Sequence, residues 1–210
     1  MGQLTAIVLG SAAGGGFPQW NCRCAVCSLA WDGDPRVTPH TQASLAVSGD
    51  GDHWTLLNAS PDFRAQLAAT PALQPRGKMR GSPIEAVVLT GAEIDQTAGL
   101  LNLRERQAFA LFATHDTLAA LAANPMFGAL APDVVQRRAV APGAAFGLPG
   151  GLSAQLFTVP GKVPLYLEDS AVQTAVESGV NVGIEINSGV RRLIFVPGVA
   201  AITQIGRAHV

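Results

Sequence analysis

The segments IEAVVLT (84–90) and FALFAT (109–114) are short apolar runs, and each passes into a stretch with helical patterning, GAEIDQTAGLLNLRERQ and HDTLAALAAN respectively. Runs of that length are strands, and strands that alternate with helices require a layered α/β fold. The rest of the chain agrees. QLTAIVLG (3–10) reads as a buried strand ending in a glycine loop. QASLAVSGDGDHWTLLNAS (42–60) alternates apolar and polar residues on both sides of Gly49-Asp50-Gly51-Asp52, a hairpin signal. PDFRAQLAAT (61–70) is patterned as a helix with Ser60 as its expected N-cap. LSAQLFTVPG (152–161), NVGIEINSG (181–189) and RRLIFVPG (191–198) are three further strands with Gly/Pro boundaries.

With 210 residues, 48% of them apolar, the chain can bury one sizeable core, and no linker divides it. Charged residues make up 14% and the net charge is −1, so no basic surface argues for nucleic acid or anionic lipid. A small-molecule partner is expected instead. No apolar run approaches the ~18 residues of a membrane span. AFALFATHDTLAALAA is interrupted by His115 and Asp116 and reads as core. The N-terminus lacks the basic region of a signal peptide, so a cytoplasmic protein is expected.

Cys22, Cys24 and Cys27 are the chain's three cysteines, and they fall in one CxCxxC cluster. Thiolates so close together repel unless a cation neutralises them, which points to a structural Zn²⁺ site. A closed site needs a fourth ligand. His40, His53, His115 and His209 are the histidines available, and none has a spacing that selects it. A second chemical group is Glu93 and Asp95, two residues apart just beyond a strand. Such a pair can hold a hard metal, act as acid and base, or serve only as loop or capping carboxylates. The glycine loop GSAAGGG (10–16) follows a strand but carries neither GxGxxG nor GK[ST], and reads as a tight turn at close packing.

VLGSAAGGGFPQWNCRCAVC, LLNASPDFRAQ, VVLTGAEIDQTAGLLNLRER and FTVPGKVPLYLE together resemble the coenzyme PQQ synthesis protein B family, within the metallo-β-lactamase-like superfamily. The resemblance runs from about residue 4 to 200. It implies an αβ/βα sandwich of two mixed sheets with helices outside. Hydrolases of the superfamily carry HxHxDH after the third such strand, where this chain has Gly91-Ala92-Glu93-Ile94-Asp95-Gln96, and only the aspartate matches. Many members of the family keep a histidine where Gln96 stands. Asn58 occupies the place of an aspartate in the hydrolases. A dizinc hydrolase is therefore not expected.

The resemblance implies a role in making pyrroloquinoline quinone (PQQ), a redox cofactor built from a glutamate and a tyrosine of a precursor peptide. Two activities follow. One is metal-dependent oxidation, a hydroxylation of the tyrosine-derived part at a second site holding Fe(II), with Asp95 and Glu93 as catalytic residues. The other is non-catalytic carriage of PQQ or its precursor towards the periplasm. The oxidation is preferred. Ile205 to Val210 spell what a common sequencing adapter encodes in one frame, so 205–210 are expected to be an artefact and 1–204 a partial domain, incomplete at the C-terminus. The fourth zinc ligand is accordingly expected beyond residue 210.

Overall fold

A computed structural model describes residues 3–77, 79–161 and 176–200, with side chains from 179 onward in the last stretch. The strands are β1 (Thr5–Gly10), β2 (Ser44–Ser48), β3 (Trp54–Leu57), β4 (Ile84–Val88), β5 (Phe109–Ala113), β6 (Val135–Ala139), β7 (Ala145–Leu148), β8 (Leu152–Gly161), β9 (Val176–Asn187) and β10 (Arg192–Phe195). The α-helices are α1 (Ala25–Trp31), α2 (Phe63–Ala69), α3 (Ile94–Thr97) and α4 (His115–Ala122). One sheet runs β1-β2-β3-β4-β5-β6 and the other β10-β9-β8-β7. In the first, β1, β2 and β3 pair antiparallel and β3 to β6 pair parallel. The second is antiparallel throughout its described strands, where a mixed sheet was expected.

The inner strands β2 to β5 of the first sheet are buried on both faces because they are apolar at most positions. Alternate residues then serve two cores. Ala46, Leu56, Val87 and Leu111 face the layer that contains Phe63, Leu100 and Leu121 from the connecting helical segments. Val47, Leu57, Val88 and Phe112 face Leu156, Val182 and Ile184 of the second sheet. This division explains the parallel pairing: each of β3, β4 and β5 must return through a helical crossover on the outer face. Phe112 also stacks on Phe146 with ring centroids 5.0 Å apart, joining the two sheets.

Several local expectations need correcting. Ser60 does not cap α2. The N-cap position is Asp62, and Ser60 instead donates from Oγ to Gln66 Oε1 at 3.0 Å. Thr114 caps α4, its Oγ1 accepting the Thr117 N–H at 3.2 Å. β6 was not anticipated because four of its five residues, QRRA, are exposed on a sheet edge and carry no apolar signature. β7 was missed because its four residues, AFGL, offer too short a run with a glycine inside. α1 lies hidden in the cysteine loop. Of the motif FTVPGKVPLYLE, residues 162–168 lie outside the described residues, as do His209 and 205–210.

Candidate functional site

Residues 16–40 form a loop closed at its base by backbone pairing of Phe17 with His40 and of Ala12 with Gln42. The thiols sit in it. Cys24 is the N-cap residue of α1 and Cys27 lies in its first turn, so two sulfurs are one helical turn apart. The N–H of Cys24 donates to Cys22 Sγ at 3.4 Å, and Trp31 Nε1 donates to the Cys22 carbonyl at 3.1 Å. All three sulfurs lie within 4.8 Å of one another. Zinc–sulfur bonds of about 2.3 Å place tetrahedral sulfurs under 4 Å apart, so the set fits Zn²⁺ with little adjustment. The backbone N–H of Cys27, followed by the Cys22 thiol, lowers Cys24 to about 7, a state poised to ionise. The N–H of Gln19 pulls the Cys27 thiol down, but burial and the neighbouring thiols outweigh it and push that thiol up.

Among the described residues no imidazole joins this cluster. His53 is a surface turn residue whose Nδ1 lies 2.6 Å from Asp50 Oδ2 and whose Nε2 lies 3.7 Å from Glu85 Oε1. Asp50, then Glu85, holds it above the ordinary imidazole value. His40 and His115 are both exposed.

A second site follows from strand direction. Because β1, β2 and β3 alternate in sense, β1 ends and β2 begins at the edge where the parallel strands β3, β4 and β5 also end. That is where ligands bind in α/β sheets. A cavity of about 730 Å³ opens there, lined by the glycine loop from Ser11 to Gly15, by Gln42, by Glu93 to Gln96, and by Gly161, Asn181 and 197–200. Thus the structure brings Glu93 and Asp95 to one cavity, across from the glycine loop. That loop is indeed tightly packed: a Cβ on Gly10 would stand 2.2 Å from the Gln42 carbonyl oxygen. It is also a wall of the site, which its lack of a phosphate motif did not suggest.

Buried amides hold this edge together. Asn58, fully buried with φ of 60°, accepts the Thr90 N–H on Oδ1 at 2.9 Å and donates from Nδ2 to Thr90 Oγ1 at 2.8 Å. The amide thereby stands in for the ladder where β3 and β4 end. Asp62 Oδ2 accepts both the backbone N–H of Gln42 at 2.9 Å and its Nε2 at 3.1 Å, and Gln42 Oε1 accepts the Gly15 N–H at 3.0 Å. Gly91 pairs with Asn181 of the other sheet, and a Cβ there would meet Gln96 Oε1 at 2.4 Å and the Val180 oxygen at 2.8 Å. A histidine therefore cannot replace Gly91 in this packing.

Asp95 is half-buried, and loss of water raises its carboxyl above the usual range, opposed only by its own backbone N–H. Gln96, 7% exposed, keeps Oε1 without a hydrogen-bond partner. Neither residue's environment was predictable from its neighbours in sequence.

Residues 53–209 match the model of the beta-lactamase superfamily domain. Coenzyme PQQ synthesis protein B of Methylobacterium nodulans is 55% identical over 201 residues, covering 96% of this chain and 67% of that protein. Its counterpart in Gluconacetobacter diazotrophicus is 50% identical, with coverage of 97% and 68%. This chain belongs to the coenzyme PQQ synthesis protein B family. It spans about two thirds of the length of these relatives. The crystal structure of Zn²⁺-bound PqqB from Methylobacterium extorquens superposes with a TM-score of 0.95 at 51% identity, over 99% of this chain and 69% of that one. A diphosphatase from the PhnP family gives 0.58 at 26% identity, over 75% and 58%.

Within the PQQ synthesis protein B fold, the segment from Gly91 to Gln96 is the end of the loop after β4 and the first turn of α3, and it supplies oxygen donors. An Fe(II) centre of the usual kind takes two imidazoles and a carboxylate. The described residues lining the cavity include no histidine, cysteine, lysine or arginine. They do not fit such a centre by themselves.

Proposed function

We propose that this protein serves pyrroloquinoline quinone biosynthesis and that the cavity beside Asp95 receives the peptide-derived precursor of the quinone. The observation that carries the reading is the charge of the wall. Among the described residues the Asp95 carboxylate lines the cavity and no lysine or arginine does, so a precursor rich in carboxylates is repelled there unless a cation lies between them. Metal-dependent oxidation of the tyrosine-derived part of the precursor accords with that requirement. Asp95 is then the group nearest the chemistry and Glu93 its neighbour on the wall. Cys22, Cys24 and Cys27 hold a structural Zn²⁺ that fixes the loop between two cavity-lining segments.

Carriage of PQQ or its precursor towards the periplasm is the second reading, favoured by the absence of imidazoles from the described lining. No described helix is long and apolar enough to cross a membrane, and a cytoplasmic site of action is part of the proposal. Oxygen uptake by the zinc-replete protein, supplied with Fe(II) and precursor, separates the two. Turnover that Asp95→Asn abolishes supports oxidation, and stoichiometric binding without oxygen consumption supports carriage. Neither binding nor turnover would remove both.

A further inference from the structure

Cys24 and Cys27 stand close together but are unequally open to solvent. Cys24 is exposed at the N-cap of α1, whereas Cys27, one helical turn on, is buried at 7% exposure. Residues so spaced on a helix hold their Cα atoms about 5 Å apart, within the span of a disulfide. Their sulfurs already lie within 4.8 Å of each other. The turn between them is held by the Ser28 N–H, which donates to the Cys24 carbonyl at 2.9 Å, and by Ser28 Oγ, which donates to the Arg23 carbonyl at 3.1 Å. A bridge can therefore close with little movement of the backbone.

We propose that Cys24 and Cys27 form a reversible oxidation site for peroxides, in which the exposed thiol reacts, the buried one resolves it, and zinc is released. Thiols that sense oxidants are solvent-accessible and stand beside a resolving cysteine. With hydrogen peroxide, the Cys24 sulfur attacks the O–O bond, forming an S–O bond and expelling hydroxide. The Cys27 sulfur then displaces a second hydroxide from Cys24, breaking S–O and forming S–S. The two sulfurs lose two electrons, the peroxide gains them, and two protons from the thiols or from solvent carry both hydroxides to water. Cys22 is then the one thiolate left, too few for a zinc site. Cys27 Sγ also accepts the Gln19 N–H, and the Gln19 amide lies against Gly15 on the cavity wall, where a Cβ would come within 2.1 Å of its Oε1. Oxidation in the loop therefore reaches the cavity edge, whatever the cavity binds.

The test is treatment of the zinc-replete protein with hydrogen peroxide, read by a zinc-binding dye and by mass mapping of tryptic peptides. Trypsin cuts after Arg23 and Arg36, which isolates Cys24 and Cys27 together on peptide 24–36 and leaves Cys22 on another. One zinc released per chain is expected as peptide 24–36 becomes lighter by two hydrogens, both changes being reversed by dithiothreitol and added zinc. In zinc-free protein, Cys22→Ser should close the same bridge at the wild-type rate, and Cys24→Ser should consume peroxide about tenfold more slowly. Hydrogen exchange at Gly15 should rise on oxidation and fall back on reduction. No reaction with peroxide, a bridge joining the two peptides through Cys22, oxidation that the reductant does not reverse, or zinc retained after the thiols are oxidised would each overturn the site. A bridge that leaves Gly15 exchange unchanged would overturn its reach to the cavity.

Discussion

The thiol cluster and the cavity at Asp95 are both sets of metal-type donors, yet one is contained within residues 22–27 while the other is gathered from the ends of β1, β4 and β8 and from β9. The first is held by a short loop and one helical turn. The second exists only while two sheets are packed, because Gly91 bridges to Asn181 and the Val182 N–H donates to the Thr90 carbonyl at 2.8 Å. A local site can lose its ligand and leave the sheets standing. A distributed one reports on the whole edge.

The sharpest way to break this contrast is to remove the proposed zinc. Chelation or Cys27→Ser should forfeit on the order of 10 kcal/mol of metal-coupled folding free energy within the loop. Hydrogen exchange should rise at 19–32 and stay unchanged in β4 and β5. Exchange that spreads through the first sheet would show that the two regions are one unit.

At the sheet edge, Asn58→Ala should cost about 3 kcal/mol, because it strips Thr90 of buried partners and places a Cβ-bearing residue at positive φ without a compensating side chain. Urea denaturation measures it, and the thiol site should still bind zinc in the folded fraction. Asp62→Ala should cost about 2 kcal/mol, since two hydrogen bonds to a charged acceptor are lost. Its further effect should be faster exchange at Gly15, which Gln42 would no longer hold. A destabilisation that leaves Gly15 unaffected would detach the glycine loop from this network.

The smallest effect concerns Asp95 in protein without added divalent cation. Its folded-state pKa is raised, so folding favours the protonated form. Stability is undiminished below the unfolded-state pKa, falls as pH rises from there through the folded-state value, and is level above it. Asp95→Asn should therefore melt slightly higher than wild type at neutral pH and equal to it near pH 3. The gap should be small because solvent screens a half-exposed carboxylate. A gap that is the same at all pH values would remove burial of the charge as its cause.

Much of the fold could be read along the chain. The strand runs at 3–10, 84–90, 109–114 and 152–161 all became strands, since each combines apolar continuity with a Gly, Pro or polar stop. β6 and β7 could not be read so. An edge strand with four exposed residues owes its conformation to pairing with β5, and AFGL owes its conformation to register with β8. The cap of α2 shows the same limit at smaller scale. Ser60 is a good capping residue by type, but Gln66 competes for its hydroxyl and wins in the fold.

For the candidate sites the division is physical. Sequence alone determined the thiol cluster, because three donors separated by two and three residues cannot be far apart in any fold, and it determined that Asp95 follows a strand. Only the tertiary structure decided that the glycine loop faces Asp95, that Gly91 leaves a space a histidine could not share, and that Gln96 Oε1 lacks a partner. Those are facts about burial and about residues far apart in the chain. Spacing fixes what neighbours can reach, while desolvation and missing partners arise only once the two sheets close over the edge they share.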